Sequence, residues 1–199
     1  MAVLAASTHA RDGSVLKGSP FIWLVMPALL LFSGRDLPAQ TAISKEYQLK
    51  AAFLYNFSQF VDWPTEAFPE AETPMVIGVI GEDPFGAYLD EIVHGEQVNN
   101  RPLIVQRYRQ VEEIKICHIL FVSRSEAARL EEIFARLKGR TTLTVGDIEG
   151  FAKQGGMIRF VTEKNKVRFR INLEAAKAAK LTISSKLLKP AEIVAPGKD

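Results

Sequence analysis

The residue types that build most metal and nucleophile centres are scarce in this chain of 199 residues. It has one cysteine, Cys117, and beyond the first forty residues only two histidines, His94 and His118. An intramolecular disulfide is therefore impossible, and a zinc site or a Ser-His-Asp arrangement lacks its components. We interpret Cys117 as a small buried hydrophobe and His118 as a hydrogen-bonded core or rim histidine. The two residues are adjacent on a predicted strand, so their side chains point to opposite faces and cannot share a metal ion. We expect no metal and no cofactor.

An excess of charge of one sign is missing as well, since 25 Lys and Arg oppose 23 Asp and Glu. No basic cluster is interleaved with aromatic residues, so a nucleic-acid partner is not expected. The turn "VIGVIGEDPFG" places glycines between a strand and a helix, but it lacks the G-x-G-x-x-G spacing and the lysine of a P-loop. We therefore expect a helix cap at this turn rather than a phosphate site.

Long hydrophobic runs are absent too, and the longest apolar segment near the N-terminus is Phe21–Phe32. A helix of this length rises about 18 Å, too little to cross a hydrocarbon core of about 30 Å. Arg11 and Lys17 precede the run and a small residue follows it, which is the pattern of a secretory signal peptide. We predict a signal peptide over residues 1–39, export to the periplasm, and no membrane insertion after cleavage. The alternative is an uncleaved amphipathic or buried N-terminal helix.

Aromatic residues concentrate in the segment Glu46–Pro64, which holds six of the eighteen in the chain. On a helical wheel one side collects Leu49, Phe53, Leu54, Phe57, Phe60 and Val61. Ser44 is a suitable N-cap, and Pro64 stops the helix. We predict an amphipathic helix whose aromatic side faces the core. A helix lying on a membrane is the alternative, but Lys50 would be the only cation on its polar face.

Strand-like and helical segments alternate after this helix. The predicted strands are "MVIGVIG" (75–81), "RPLIVQRY" (101–108), "CHILFVS" (117–123) and "TTLTV" (141–145). The predicted helices begin at Asp83-Pro84 and at Ser125. Two further strands, Met157–Thr162 and Lys166–Ile171, form a hairpin, and Asn172 caps a final helix. This pattern predicts one domain over residues 40–199 of the α/β class, with three layers, a mostly parallel central sheet, helices on both faces and an antiparallel C-terminal hairpin.

Arg168 and Arg170 are the candidate binding residues. They alternate with apolar neighbours, so both guanidinium groups leave the same face of one strand, about 7 Å apart. Such a pair suits a carboxylate, a phosphate or the acidic face of a partner. The alternative is a charged solvent face on an edge strand.

Carboxylates offer the only other chemistry. Asp147 and Glu149 lie between glycines in "VGDIEGF", which we predict to be a solvated surface loop. Together with Asp83 they are the residues that a carboxylate-dependent hydrolase would use. We expect no enzymatic activity and no catalytic residue.

The chain beyond its first forty residues resembles the YfiR-like family of bacterial periplasmic proteins. The resemblance rests on "YQLKAAFLYNFSQFVDWP", "GEDPFG", "CHILFVSRSE" and "LTVGDIEGFAKQGGMIRFVTEKNKVRFRINLEAAKAAKLTISSKLL", in that order.

This resemblance implies a non-catalytic regulator that binds the periplasmic region of an inner-membrane diguanylate cyclase, restrains it and so lowers cyclic di-GMP. It also implies a homodimer. YfiR-type regulators carry cysteine pairs, whereas Cys117 is alone here, so gating by an intramolecular disulfide is not expected. The alternative function is a periplasmic small-molecule binding protein linked to transport, in which Arg168 and Arg170 hold an anion.

Overall fold

A mixed sheet of eight strands runs through the computed structural model, which describes residues 44–164, 166–195 and 197–198. The elements follow in the order α1 (Lys45–Phe60), β1 (Val61–Asp62), β2 (Met75–Ile80), α2 (Ala87–Val93), β3 (Gln97–Val98), β4 (Arg101–Tyr108), β5 (Ile119–Val122), α3 (Leu130–Leu137), β6 (Leu143–Gly146), β7 (Ile158–Glu163), β8 (Lys166–Asn172), α4 (Leu173–Ala178), β9 (Thr182–Ile183), α5 (Ser185–Leu188) and β10 (Glu192–Val194).

In space the strands lie in the order β10-β8-β7-β6-β5-β2-β4-β3. The neighbours from β7 through β4 are parallel, as are β10 and β8. The hairpin β7–β8 and the edge pair β3–β4 are antiparallel. The strand β1, which follows α1 directly in the sequence, forms a separate antiparallel pair with β9. The mostly parallel sheet and the antiparallel C-terminal hairpin are confirmed.

Helices cover both faces of the sheet. Successive residues of β5 point to opposite sides, so Phe121 joins one apolar cluster and Leu120 the other. The larger cluster includes residues of α1, α2, α4 and α5, whereas α3 supplies the smaller one. The predicted three-layer α/β class is therefore confirmed.

Helix α1 has the predicted caps but a rotated buried face. Ser44 accepts a hydrogen bond from the Tyr47 amide at 3.4 Å, and the helix ends before Trp63-Pro64. Leu49, predicted to face the core, is 44% exposed, whereas Lys50 is 1% exposed. At about 100° per residue the wheel places Lys50 between Phe57 and Val61 and leaves Leu49 at the margin of the apolar side. The prediction was wrong because it assigned Lys50 to the polar face by its charge, without a partner elsewhere in the chain that could compensate that charge.

The start of α2 also differs from the prediction. The helix begins at Ala87 after Gly86, which has a φ of 54°, rather than at Pro84. Asp83 instead accepts a hydrogen bond from the Phe85 amide at 2.7 Å and pairs with Arg107. Asn172 does cap α4, by accepting from the Ala175 amide at 3.0 Å, although α5 follows that helix.

The segment Thr41–Asp199 forms one compact unit, which contains all the elements from α1 to β10. The predicted signal peptide, residues 1–39, lies outside the described residues, so its cleavage and the domain boundary stay predictions. Within the described part of the chain, no helix has both the length and the apolar character that a membrane crossing requires.

Candidate functional site

The carboxyl ends of the central strands form the edge where a site is expected in this architecture. After β2 the chain forms β4 on one side of that strand and β5 on the other, so the strand order reverses there. Open α/β sheets bind ligands outside the carboxyl ends of their strands at such a reversal. Arg124 follows β5 at this edge, and Asp147 follows β6 directly.

A buried ion pair joins α1 to this edge. The Lys50 Nζ lies 2.5 Å from the Asp147 Oδ2, and each side chain is 1% exposed. Both charges have left water, which costs several kcal/mol per ion unless attraction and hydrogen bonds offset it. The pair therefore stabilises the fold only as a complete unit.

Further polar groups surround this pair. The Tyr47 hydroxyl donates to the Asp147 Oδ2 at 2.9 Å, and the Arg124 guanidinium lies 3.3 Å from the same oxygen. Burial, reinforced by the Asp147 charge, raises the pKa of Tyr47 to about 12. Glu46 pairs with Lys50 at 2.6 Å, and that hydrogen bond lowers the pKa of the Glu46 carboxyl.

One carboxylate oxygen of Asp147 has no hydrogen-bond partner among the described residues. The Asp147 Oδ1 is buried and has no hydrogen bond from the described residues. The three donors all converge on the Oδ2. These contacts join five residues into one group, the edge cluster: Glu46, Tyr47, Lys50, Arg124 and Asp147.

The prediction of a solvated loop was wrong for Asp147. Its neighbour Glu149 is exposed, as predicted, whereas Asp147 is 7% exposed. The three carboxylates that a hydrolase would use have separate surroundings, because Asp83 pairs with Arg107 and Asp147 with Lys50. No group of three or more potential metal ligands occurs in residues 44–164, 166–195 and 197–198.

Arg168 and Arg170 line a common cleft of about 270 Å³, together with Phe169 and Pro190. Arg168 is exposed. Arg170 donates to Glu192 at 2.8 Å and lies 3.8 Å from Glu163. On the side of β8 away from β7, the strand β10 pairs only with Arg170–Asn172, so among the described residues no strand covers this side of Arg168. The edge-strand alternative therefore stays open for Arg168.

A comparison with protein families decides the relationship of the chain. The model of the YfiR/HmsC-like family matches residues 47–192, which extend from α1 to β10. The chain belongs to the YfiR/HmsC-like family. This family consists of periplasmic, non-catalytic regulators in the context of cyclic di-GMP signalling.

No curated protein matches this YfiR/HmsC-like chain. A solved structure described as the ABC domain in complex with L-Trp, from Streptococcus pneumonia, is 12% identical with a TM-score of 0.45. The match covers 60% of this chain and 55% of that one, so the chain spans about half the length of that structure.

Two residues of this YfiR/HmsC-like chain have the surroundings predicted for them. Cys117 is buried in the smaller apolar cluster, and burial raises the pKa of its thiol to about 12. His118 accepts from the Val76 amide at 3.0 Å through Nδ1, and its Nε2 lies 3.1 Å from the Ala67 carbonyl. Burial lowers the pKa of His118 to about 4, so the ring is neutral at pH 7. Neither residue is placed to react.

Proposed function

We propose that this chain is a periplasmic regulatory protein that binds the periplasmic region of an inner-membrane diguanylate cyclase and holds the enzyme inactive. The observation that carries the proposal is the family match over residues 47–192, which includes the whole sheet except its last two residues. The protein acts by binding and not by catalysis. Its presence lowers cyclic di-GMP in the cell.

Restraint of this kind requires differential binding. A regulator shifts its partner only as far as its affinities for the active and inactive states differ. Moving a two-state partner from about 1% to about 99% inactive requires an affinity difference of about 10⁴-fold. An input signal that weakens the complex then releases the cyclase.

Deletion of the gene is the test of this proposal. We expect intracellular cyclic di-GMP to rise in the deletion strain, because the cyclase loses its restraint, and to return when the gene is supplied again. The measurement is cyclic di-GMP by mass spectrometry in cells where the protein is shown to be made. An unchanged nucleotide level would reject the cyclase as the partner.

The cleft at Arg168 favours a second candidate function, which is the binding of a small anion in the periplasm. Val161, which lies opposite Arg168 in the hairpin, and Pro190 give the cleft apolar walls, and Arg168 is exposed at its surface. Arg170 is partly neutralised by Glu192 and Glu163. An incoming carboxylate would therefore bind Arg168 first. The Arg170 guanidinium would have to bind this carboxylate while it keeps its contacts with Glu192 and Glu163.

Replacing Arg168 and Arg170 together with Gln tests this cleft. We expect the double variant to lose at least about tenfold in affinity for an anionic ligand or partner, since charge-assisted hydrogen bonds are worth about 1.5 to 3 kcal/mol each. The measurement is mass spectrometry of ligand retained after dialysis, together with complementation of the deletion strain.

The matched control is Lys166→Gln, which removes one positive charge from the same strand. Lys166 precedes Arg168 by two residues, just as Arg168 precedes Arg170. If the double variant and the control retain ligand and complement equally well, Arg168 and Arg170 are ordinary surface residues.

A further inference from the structure

A groove of about 560 Å³ lies at the amino-terminal end of β6 and β7. The edge cluster is at the opposite end of β6, since Asp147 follows this strand, whereas Thr142, which lines the groove, precedes it. The groove also differs from the cleft at Arg168 and Arg170, because neither arginine lines it. It is therefore a separate candidate site, and its volume is in the range of about 300 to 1,000 Å³ that is usual for small-molecule sites.

The walls of this groove are mostly apolar. On one side Ala175 and Ala178 of α4 and Ala179 directly after it are three and four positions apart, so they share one side of the helix. On the other side Phe134 of α3 lines the groove, and Met157 adds an apolar side chain before β7. The small side chains along α4 leave the space that an apolar ligand needs.

Two buried threonine hydroxyls add polar groups to the lining. Thr142 and Thr144 are 4% and 3% exposed. The Thr142 hydroxyl donates to the Cys117 carbonyl at 2.7 Å, whereas the Thr144 hydroxyl accepts from the Met157 amide at 3.1 Å. Nothing in the described part of the chain accepts the proton of the Thr144 hydroxyl. Buried polar groups are normally hydrogen-bonded, so this donor is available to a molecule in the groove.

The charged residues of the described lining are cations. Lys138 and Arg140 follow the C-terminus of α3, and both are exposed. No aspartate or glutamate is among the described residues that line the groove. Arg140 donates to the Ile114 carbonyl at 2.6 Å, and the negative end of the α3 dipole offsets part of the positive charge. The charge that remains suits a ligand with a single negative charge.

We propose that this groove binds a small carboxylate with an unbranched apolar chain, that is, a medium-chain fatty acid. Its carboxylate pairs with Lys138 and Arg140, and its chain lies against the alanines of α4. The only aromatic ring in the described lining, Phe134, already packs edge-on against Phe151, with 5.3 Å between centroids, so the walls favour an aliphatic chain over an aromatic one. This inference goes beyond both proposed functions and depends on neither.

Isothermal titration calorimetry with a series of fatty acids tests the proposal on protein purified from cells that express the full 199-residue chain. The probes are the sodium salts of hexanoic, octanoic and decanoic acid, with octanol as the uncharged match for octanoate. Because each buried methylene is worth about fourfold in affinity, we expect a rise of about tenfold from hexanoate to octanoate. We expect octanol to bind at least about fivefold more weakly than octanoate, since it lacks the charge. No binding of decanoate at millimolar concentration, or equal affinities for hexanoate and decanoate, would overturn the proposal.

A substitution that fills the groove locates the bound chain. Ala178→Leu starts from an exposed position, so the larger side chain occupies the groove without disturbing the core. We expect it to weaken octanoate binding at least about tenfold, because the chain and the new side chain compete for one space. The matched control is Ala128→Leu, the same change at an exposed alanine outside the groove, which should bind octanoate as the wild type does. Equal affinities of the two variants would contradict the proposed site.

A charge variant locates the carboxylate. Lys138→Gln removes an exposed cation of the groove, and we expect it to weaken octanoate binding about threefold and to leave octanol binding unchanged. The control is Lys153→Gln, which removes the same charge from an exposed position outside the groove and should leave both affinities unchanged. An equal loss in both variants would show that octanoate responds to net charge alone and would overturn the assignment of Lys138. None of these results bears on the cyclase, which the deletion experiment tests separately.

Discussion

Replacing Asp147 with Ala is expected to lower the free energy of unfolding by about 3 to 5 kcal/mol, because it strips a buried ammonium of its partner. The Lys50 side chain, 1% exposed, would keep Glu46, which is itself one-third exposed, as its carboxylate partner among the described residues, together with the Tyr47 ring 4.4 Å away. The hydroxyl of Tyr47 would lose its acceptor as well. The measurement is urea unfolding followed by circular dichroism.

Two further variants separate the charge from the position. Glu149→Ala changes an exposed carboxylate two residues along the chain, and we expect it to stay within about 0.5 kcal/mol of the wild type. Adding Lys50→Met to Asp147→Ala removes the buried charge that has lost its buried partner, so the double variant should regain part of the lost stability. A double variant less stable than Asp147→Ala would contradict this account of the edge cluster.

Replacing Phe57 with Ala is expected to cost about 3 to 5 kcal/mol of unfolding free energy, because it empties the centre of the larger apolar cluster. Phe57 is 0% exposed. Its ring lies 5.8 Å from that of Phe160 and 5.6 Å from that of Phe169, measured between centroids. The loss would be read from the same urea titration.

Leu49→Ala is the matched control in the same helix. The helical wheel assigned Leu49 and Phe57 to one buried side, but Leu49 is 44% exposed. We therefore expect Leu49→Ala to cost less than about 1 kcal/mol. Equal losses for the two variants would show that the wheel, and not the fold described here, gives the buried face of α1.

Regular periodicity allowed much of the fold to be predicted. The apolar runs at Met75–Ile80 and Ile119–Val122 are fully buried strands, as their composition indicated. The hairpin of β7 and β8, the cap at Ser44 and the cap at Asn172 follow from signals within a few residues. Each of these features is stabilised by near neighbours in the sequence, so a local pattern is enough to predict it.

The edge cluster shows where local patterns fail. Lys50 and Asp147 are 97 positions apart, and Asp147, between glycines, has the sequence context of a solvated residue. A lysine is rarely buried unless it is paired, and the pairing depends on how α1 crosses the carboxyl end of β6. A better sequence signal would have been Lys50 itself, which lies next to the positions that the wheel turns inward.

Signals within the sequence were enough to predict the α/β class and the hairpin, to predict that Arg168 and Arg170 share one strand face, and to indicate the family that the family match confirmed. The packed fold was needed to show that Asp147 is buried against Lys50 and that Glu192 pairs with Arg170. These two contacts have a common origin. Each depends on which distant segments become neighbours, and that is set by packing of the whole sheet rather than by the residues on either side.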